Sequence, residues 1–133
     1  MRTLKRSECV VTSLVLTHEW YDMIDKGPKR EEYRADTKRY ETRFTNILIY
    51  STNVVGEKLK EKVVAFQRAY NKPSMFWVCD IDFRRVGMAR HPEWGEPDEP
   101  HWVLKLIERV DLVDDCKDAN ISCMGKIRGK KRS

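Results

Sequence analysis

No apolar run in the 133 residues approaches the roughly 18 consecutive residues that a bilayer-spanning helix needs, so no membrane-spanning helix is expected. The basic start, Met1-Arg2-Thr3-Leu4-Lys5-Arg6, is broken by Ser7, Glu8 and Cys9 before any sustained apolar core, which argues against a secretory signal. The four cysteines, Cys9, Cys79, Cys116 and Cys123, contain no C-x-x-C pair. Their even number permits two disulfides, yet a domain of this size needs none. Without an export signal the thiols are expected reduced and the protein cytoplasmic. Cys116 and Cys123 with a histidine match no common zinc spacing, and neither metal nor cofactor is expected. The three histidines, His18, His91 and His101, are far apart and support no histidine-based acid–base site. There is no Walker loop, no G-x-S-x-G, no H-E-x-x-H and no dinucleotide fingerprint.

What the sequence does hold is a balance of 41% hydrophobic and 35% charged residues, which marks a well-solvated globular domain with one core rather than a disordered chain. The net charge of +5 is uneven. Lys126, Arg128, Lys130, Lys131 and Arg132 follow Cys123 without an acid, and removing them leaves 21 basic and 21 acidic residues. The organisation expected is a basic lead-in over 1–10, a folded domain over 11–115 and a basic, flexible tail over 116–133. Such a tail either touches phosphates without sequence preference or only solubilises the chain.

Along the domain, Val11–Leu16 reads as a buried strand. Thr17 is a reasonable N-cap for a helix over His18–Lys26, with Trp20, Met23 and Ile24 on one stripe and Gly27 as the stop. Glu31–Ala35 reads as a second strand and Lys38–Phe44 as a short helix, in which Tyr40 and Arg43 share a face and Tyr40 and Phe44 pair. Ile47–Tyr50 is expected as a third, short strand. Glu57–Tyr70 is expected as a helix, because Leu59, Val63, Phe66 and Tyr70 recur with helical spacing. Met75–Phe83 is the longest strand-like run, with Val78, Asp80 and Asp82 on one face and Trp77, Cys79, Ile81 and Phe83 on the other. The proline-rich stretch 90–100 places Trp94 as a lid or as the plug of a barrel. His101–Val113 completes the pattern as a strand with a bend.

The stretch Gly27-Pro28-Lys29-Arg30-Glu31-Glu32-Tyr33-Arg34 carries the most chemistry. Glu32 and Arg34 stand two apart on a strand and share a face, with Lys29 at its mouth. A guanidinium reads planar oxyanions bidentately, so the cluster suits a ligand bearing phosphate or amide groups. A surface ion-pair ladder would use the same residues. Around it, positions 26–43 hold seven basic and four acidic residues, a local excess of +3 with Tyr40 among the charges. That combination points to an anionic partner.

A strand, a short Trp-containing helix and then G-x-K-x-x-E-x-R, here Gly27, Lys29, Glu32 and Arg34, resembles the signature of the ASCH domain in the PUA-like superfamily. Tyr40–Arg43 looks like the family's following helix. Pro92–Pro97 and Trp102–Leu106 look like its closing loop and strand, so the resemblance covers roughly residues 12–113. It implies an α+β fold with a small PUA-like mixed or antiparallel β-barrel, flanking short helices and a basic cleft. It also implies binding of RNA, single-stranded nucleic acid, a nucleotide or a modified base. By that resemblance Lys29, Glu32 and Arg34 line a cleft built on the motif that Gly27 opens; Tyr40 or Trp20 is expected to supply a stacking face there and Arg43 a phosphate contact. One branch of the family hydrolyses an acylated cytidine with a lysine, a threonine nucleophile and a later glutamate. Lys29 matches the lysine, but Glu32 stands at the threonine, and Ile107 stands where many members have glycine. The enzymatic alternative is hydrolysis of a modified nucleoside or of RNA, with Lys29 and Glu32, or Asp82, as the acid–base groups. A protein-interaction module with a purely structural cluster is the third expectation.

Overall fold

A computed structural model describes residues 1–53 and 55–115, and the basic tail with Cys116 and Cys123 lies outside the described residues. Six strands and two α-helices make a mixed α+β fold. The strands are β1 (Arg2–Lys5), β2 (Cys9–Leu16), β3 (Glu31–Ala35), β4 (Glu61–Arg68), β5 (Pro73–Arg84) and β6 (His101–Val113). The helices are α1 (His18–Lys26) and α2 (Lys38–Ser51). None of the described helices is long and apolar enough to cross a membrane.

The strands form one sheet in the order β1-β6-β5-β4-β2. β5 runs antiparallel to both β4 and β6, while β2 lies parallel to β4. Long β6 carries two partners along the same edge, with β3 antiparallel at its start and β1 parallel at its end. Residues 1–10, expected as a lead-in, therefore contribute β1 and the start of β2.

The expectation of a closed barrel is corrected, because no ladder joins β2 to β1 or β3 among the described residues. Side chains bridge that seam instead. Arg34 on β3 donates through Nη2 to the Val15 carbonyl at 2.9 Å, and Arg43 on α2 donates through Nη1 to the Ser13 carbonyl at 3.1 Å. Ser13 and Val15 are alternate residues on the edge strand, so their carbonyls face the same way. Guanidinium groups thus occupy acceptors that a closing strand would need.

The helices cover one face of the sheet. Tyr21, Ile24, Phe44 and Ile47 meet Leu14, Val64, Phe66, Trp77 and Leu104 there. A smaller cluster of Leu4, Cys9, Val63, Val78 and Val110 packs on the opposite face. Trp77 and Cys79 therefore point away from Val78, as alternation along the strand requires.

Two segments differ from expectation. Ile47–Tyr50 is not a strand but the last turns of α2: Phe44, Ile47 and Ser51 are buried, while Ile49 and Tyr50 are exposed. No breaker separates Arg43 from Ile47, and the helical stripe runs on. Glu57–Tyr70 is not a helix, since Glu61–Arg68 is strand β4. Leu59 and Tyr70, needed for the helical stripe, are 62% and 91% exposed. Val63-Val64-Ala65-Phe66 is buried throughout because β4 lies between β2 and β5 and packs on both faces. Such a run carries no alternation.

Candidate functional site

Local geometry sets up the cluster. α1 ends at Gly27, whose φ of +115° is a conformation that side chains disfavour. The Gly27 and Lys29 amides both donate to the Met23 carbonyl, at 3.1 and 3.2 Å, and turn the chain directly into β3. Gly27 thus serves the site as a helix stop. Lys29 is consequently thrown inward. Its side chain is 1% exposed, and Nζ donates to the Trp94 carbonyl at 2.6 Å and lies 3.4 Å from Glu32 Oε1. The same ammonium lies 5.0 Å from the Trp20 ring centroid and 4.7 Å from that of Tyr33. Burial pushes the Lys29 pKa below that of an ordinary lysine, opposed by the Glu32 carboxylate.

Glu32 is also buried and links the two cations, since its Oε2 accepts from Arg34 Nη2 at 3.1 Å. Arg34 further donates through Nη1 to the Tyr40 hydroxyl at 3.1 Å and through Nη2 to Val15. These three bonds leave two of the five guanidinium N–H donors without a bond, and Nε is a buried donor with no partner. Glu32 and Arg34 share a face of β3, and Lys29, two residues before the strand, joins them through Glu32.

Arg34 also lines a cleft of about 430 Å³ with Tyr33, Ala35, Gly95, Pro97 and His101. Lys29 and Glu32 do not line it; they reach it through Tyr33 and Arg34. Trp20 is half-buried and packs on Gly95, where an added Cβ would lie 2.9 Å from its ring. Tyr40 lies nearly parallel to Phe44, with centroids 5.6 Å apart and 13° between planes, so part of its ring is given to the core. Arg34, Arg39 and Arg43 place their guanidinium carbons 5.7, 5.7 and 5.6 Å from the same Tyr40 centroid. Burial pushes the Arg43 pKa down, and Arg39 and Arg34 add like-charge repulsion against a favourable contribution from Tyr40.

A second ionic network holds the loop that walls the cleft. Arg84 grips Glu31 with two bonds of 2.8 and 2.9 Å and also donates to Glu96 Oε2 at 2.7 Å. His101 Nε2 lies 2.8 Å from Glu96 Oε2, and Nδ1 lies 2.6 Å from the Glu99 carbonyl. The Arg90 and His91 amides donate to Glu96 Oε1, each at 2.8 Å. Burial of Glu96 would raise its pKa, but Arg84, the two amides and His101 overcome it and hold the carboxyl at about 2. Trp94 meets the site through its carbonyl, while its ring stacks on His91 at 3.9 Å.

Glu31, Arg84, Glu96 and His101 were not singled out from the sequence. Glu96 and His101 bracket the proline-rich loop, which was a usable signal, whereas Arg84 reaches them only because β5 and β6 pair Arg84 opposite His101. Asp82 pairs with Lys105 at 3.2 Å and does not line the cleft. Cys9 and Cys79 are buried free thiols pushed up by desolvation to about 11 and about 12, which leaves little reactive thiolate. Among the described residues no three His, Cys, Asp or Glu gather as a metal site. Comparison of the chain with family models, curated proteins and solved structures finds no match.

Proposed function

We propose that this protein binds RNA, or a nucleotide or modified base, in the cleft between the end of β3 and the 95–101 loop, with Arg34 as the recognition residue. One observation carries the proposal: the Arg34 guanidinium lines a cleft of about 430 Å³ and, apart from the buried Nε, keeps one Nη1 hydrogen without a bond. That volume falls within the range of small-molecule pockets, roughly 300–1,000 Å³. Glu32 and Tyr40 fix the plane of the guanidinium, as recognition of a base edge or phosphate demands. Lys29 and Glu32 act behind it as positioning residues. Kinship with ASCH domains, and through them with PUA-like barrels, is part of the same proposal and rests on the Gly27, Lys29, Glu32 and Arg34 pattern.

The test is calorimetric titration with ribonucleosides, their monophosphates and a short single-stranded RNA. Arg34→Lys keeps the charge but removes the planar fork, and Ala35→Trp fills the cleft from its wall. Both are expected to weaken binding at least tenfold, about what one charged hydrogen bond contributes. Unchanged affinity in Ala35→Trp with intact folding refutes the cleft as the binding site.

A second function, hydrolysis of a modified nucleoside or of RNA, is favoured by a separate observation: the desolvated Lys29 amine lies 3.4 Å from the Glu32 carboxylate. A desolvated ammonium beside a carboxylate is a workable acid–base pair once substrate displaces the Tyr33 and Arg34 side chains that separate it from the cleft. Turnover abolished in Glu32→Gln with folding retained supports it, and absence of product from every substrate bound by the wild type refutes it.

A further inference from the structure

We infer that the ligand is phosphorylated and that Arg39 and Arg43, on the first turns of α2, are the seat of its phosphate. This rests on the cleft at Arg34 being the binding site, and it deepens that assignment by naming the ligand class.

Three guanidinium groups surround one tyrosine. Arg34, Arg39 and Arg43 each lie within 5.7 Å of the Tyr40 centroid, so any two of them are closer than twice that distance. Among the described residues, Arg34 alone of the three has a carboxylate partner, Glu32. Among the ion pairs of the described residues none involves Arg39 or Arg43, and Glu41 beside them pairs with Lys38 at 3.7 Å. The arginines of the sheet behave differently: Arg2, Arg68, Arg84 and Arg109 each meet a carboxylate oxygen at 3.0 Å or less.

The geometry of Arg43 adds to this. One of its nitrogens is tied to the Ser13 carbonyl at 3.1 Å, so the group is held on the seam rather than swinging free. Its burial and the like charges of Arg39 and Arg34 both disfavour the cation where it stands. A bound dianion would relieve that repulsion, and guanidinium forks are the side chains that match phosphate oxygens best. The Tyr40 hydroxyl, bonded to Arg34, connects this cluster to the cleft wall. A base or sugar held at Arg34 has its phosphate across Tyr40 in this arrangement, at Arg39 and Arg43.

The experiment compares four ribonucleosides with their 5′-monophosphates by calorimetry, on the wild type, Arg39→Gln/Arg43→Gln and Ala35→Trp. Lys58→Gln/Lys60→Gln removes the same charge elsewhere as a control. The wild type is expected to prefer the monophosphate by about tenfold or more, the value of a charge-assisted contact. The Arg39→Gln/Arg43→Gln protein is expected to lose that preference while binding the nucleoside as before. With short single-stranded RNA, its slope of log K against log salt should fall by about 1.4, the counterion release of two phosphate contacts. If the double variant does not fold, Arg39→Gln alone, at an exposed position, should lower the slope by about 0.7.

Equal binding of nucleoside and monophosphate by the wild type overturns the phosphate seat, while loss of both in Ala35→Trp leaves the cleft assignment intact. RNA binding that is indifferent to Ala35→Trp overturns the cleft, and the salt slope then decides the arginines separately. A slope equal to that of the Lys58→Gln/Lys60→Gln control refutes them.

Discussion

Glu96 carries the loop that walls the cleft, and replacing it with glutamine tests how that wall is held. Its side chain is fully buried and accepts from Arg84, His101 and the amides of Arg90 and His91. A carboxyl that ordinarily titrates at 4.5 is held at about 2. At about 1.4 kcal/mol per pH unit, this corresponds to ~3 kcal/mol of folding stability. Because the folded-state pKa is depressed, that stability is fully present above about pH 4.5 and is lost as the pH falls toward about 2. Glu96→Gln keeps the shape but not the charge, so Arg84 keeps only Glu31 as a carboxylate partner. The expected cost near neutral pH is ~3 kcal/mol, typical of removing one member of a buried ion pair. Urea denaturation of both proteins at a series of pH values reads the difference directly. The gap between wild type and variant should shrink by most of that ~3 kcal/mol between about pH 6 and pH 2, since the wild-type carboxyl becomes neutral as well. A gap that stays constant over that range refutes the charge-based account and would leave only a packing role for Glu96.

Lys29→Met fills the space between Trp20 and Tyr33 but leaves the Trp94 carbonyl and Glu32 without their ammonium, and should cost about 3 kcal/mol in urea denaturation. A stabilised variant would mean that desolvation of Lys29 outweighs its bonds. Gly95→Ala should cost about 2 kcal/mol, because the residue sits at φ +86° and the new Cβ would lie 2.9 Å from the Trp20 ring. Thermal denaturation indistinguishable from wild type would contradict that contact. Phe66→Ala should cost about 3–5 kcal/mol, whereas Leu59→Ala should change stability by less than about 0.5 kcal/mol. Equal effects at the two positions would restore the helical account of residues 57–70.

The two ion networks divide the work at the cleft. In the first, Arg34 ties β3 to the seam and Lys29 ties it to the Trp94 carbonyl, with Glu32 between them, while Arg84, Glu31, Glu96 and His101 tie the loop to β3 and β6. Glu31 and Glu32 are adjacent on the strand, so their side chains leave on opposite faces and each serves one network. Consecutive acidic residues that look redundant in the sequence therefore have separate partners.

Local periodicity determined a good part of this protein. The helix over His18–Lys26, its stop at Gly27 and the strand Glu31–Ala35 follow from side-chain spacing and glycine conformation alone, and so does the shared face of Glu32 and Arg34. The Tyr40–Phe44 pair and the strand runs Met75–Phe83 and His101–Val113 were legible for the same reason, although β5 begins two residues earlier, at Pro73. Tertiary structure alone decided the rest. Val63–Phe66 became a strand because neighbours on both sides bury both of its faces, a circumstance absent from any local window. Arg2–Lys5 became a strand because the far end of β6 offered it an edge. The sheet stays open at β2, where Arg34 and Arg43 occupy backbone acceptors, and Arg84 joins Glu96 because β5 and β6 run antiparallel. Each of these depends on contacts between residues distant in the chain, which side-chain order constrains only through the fold.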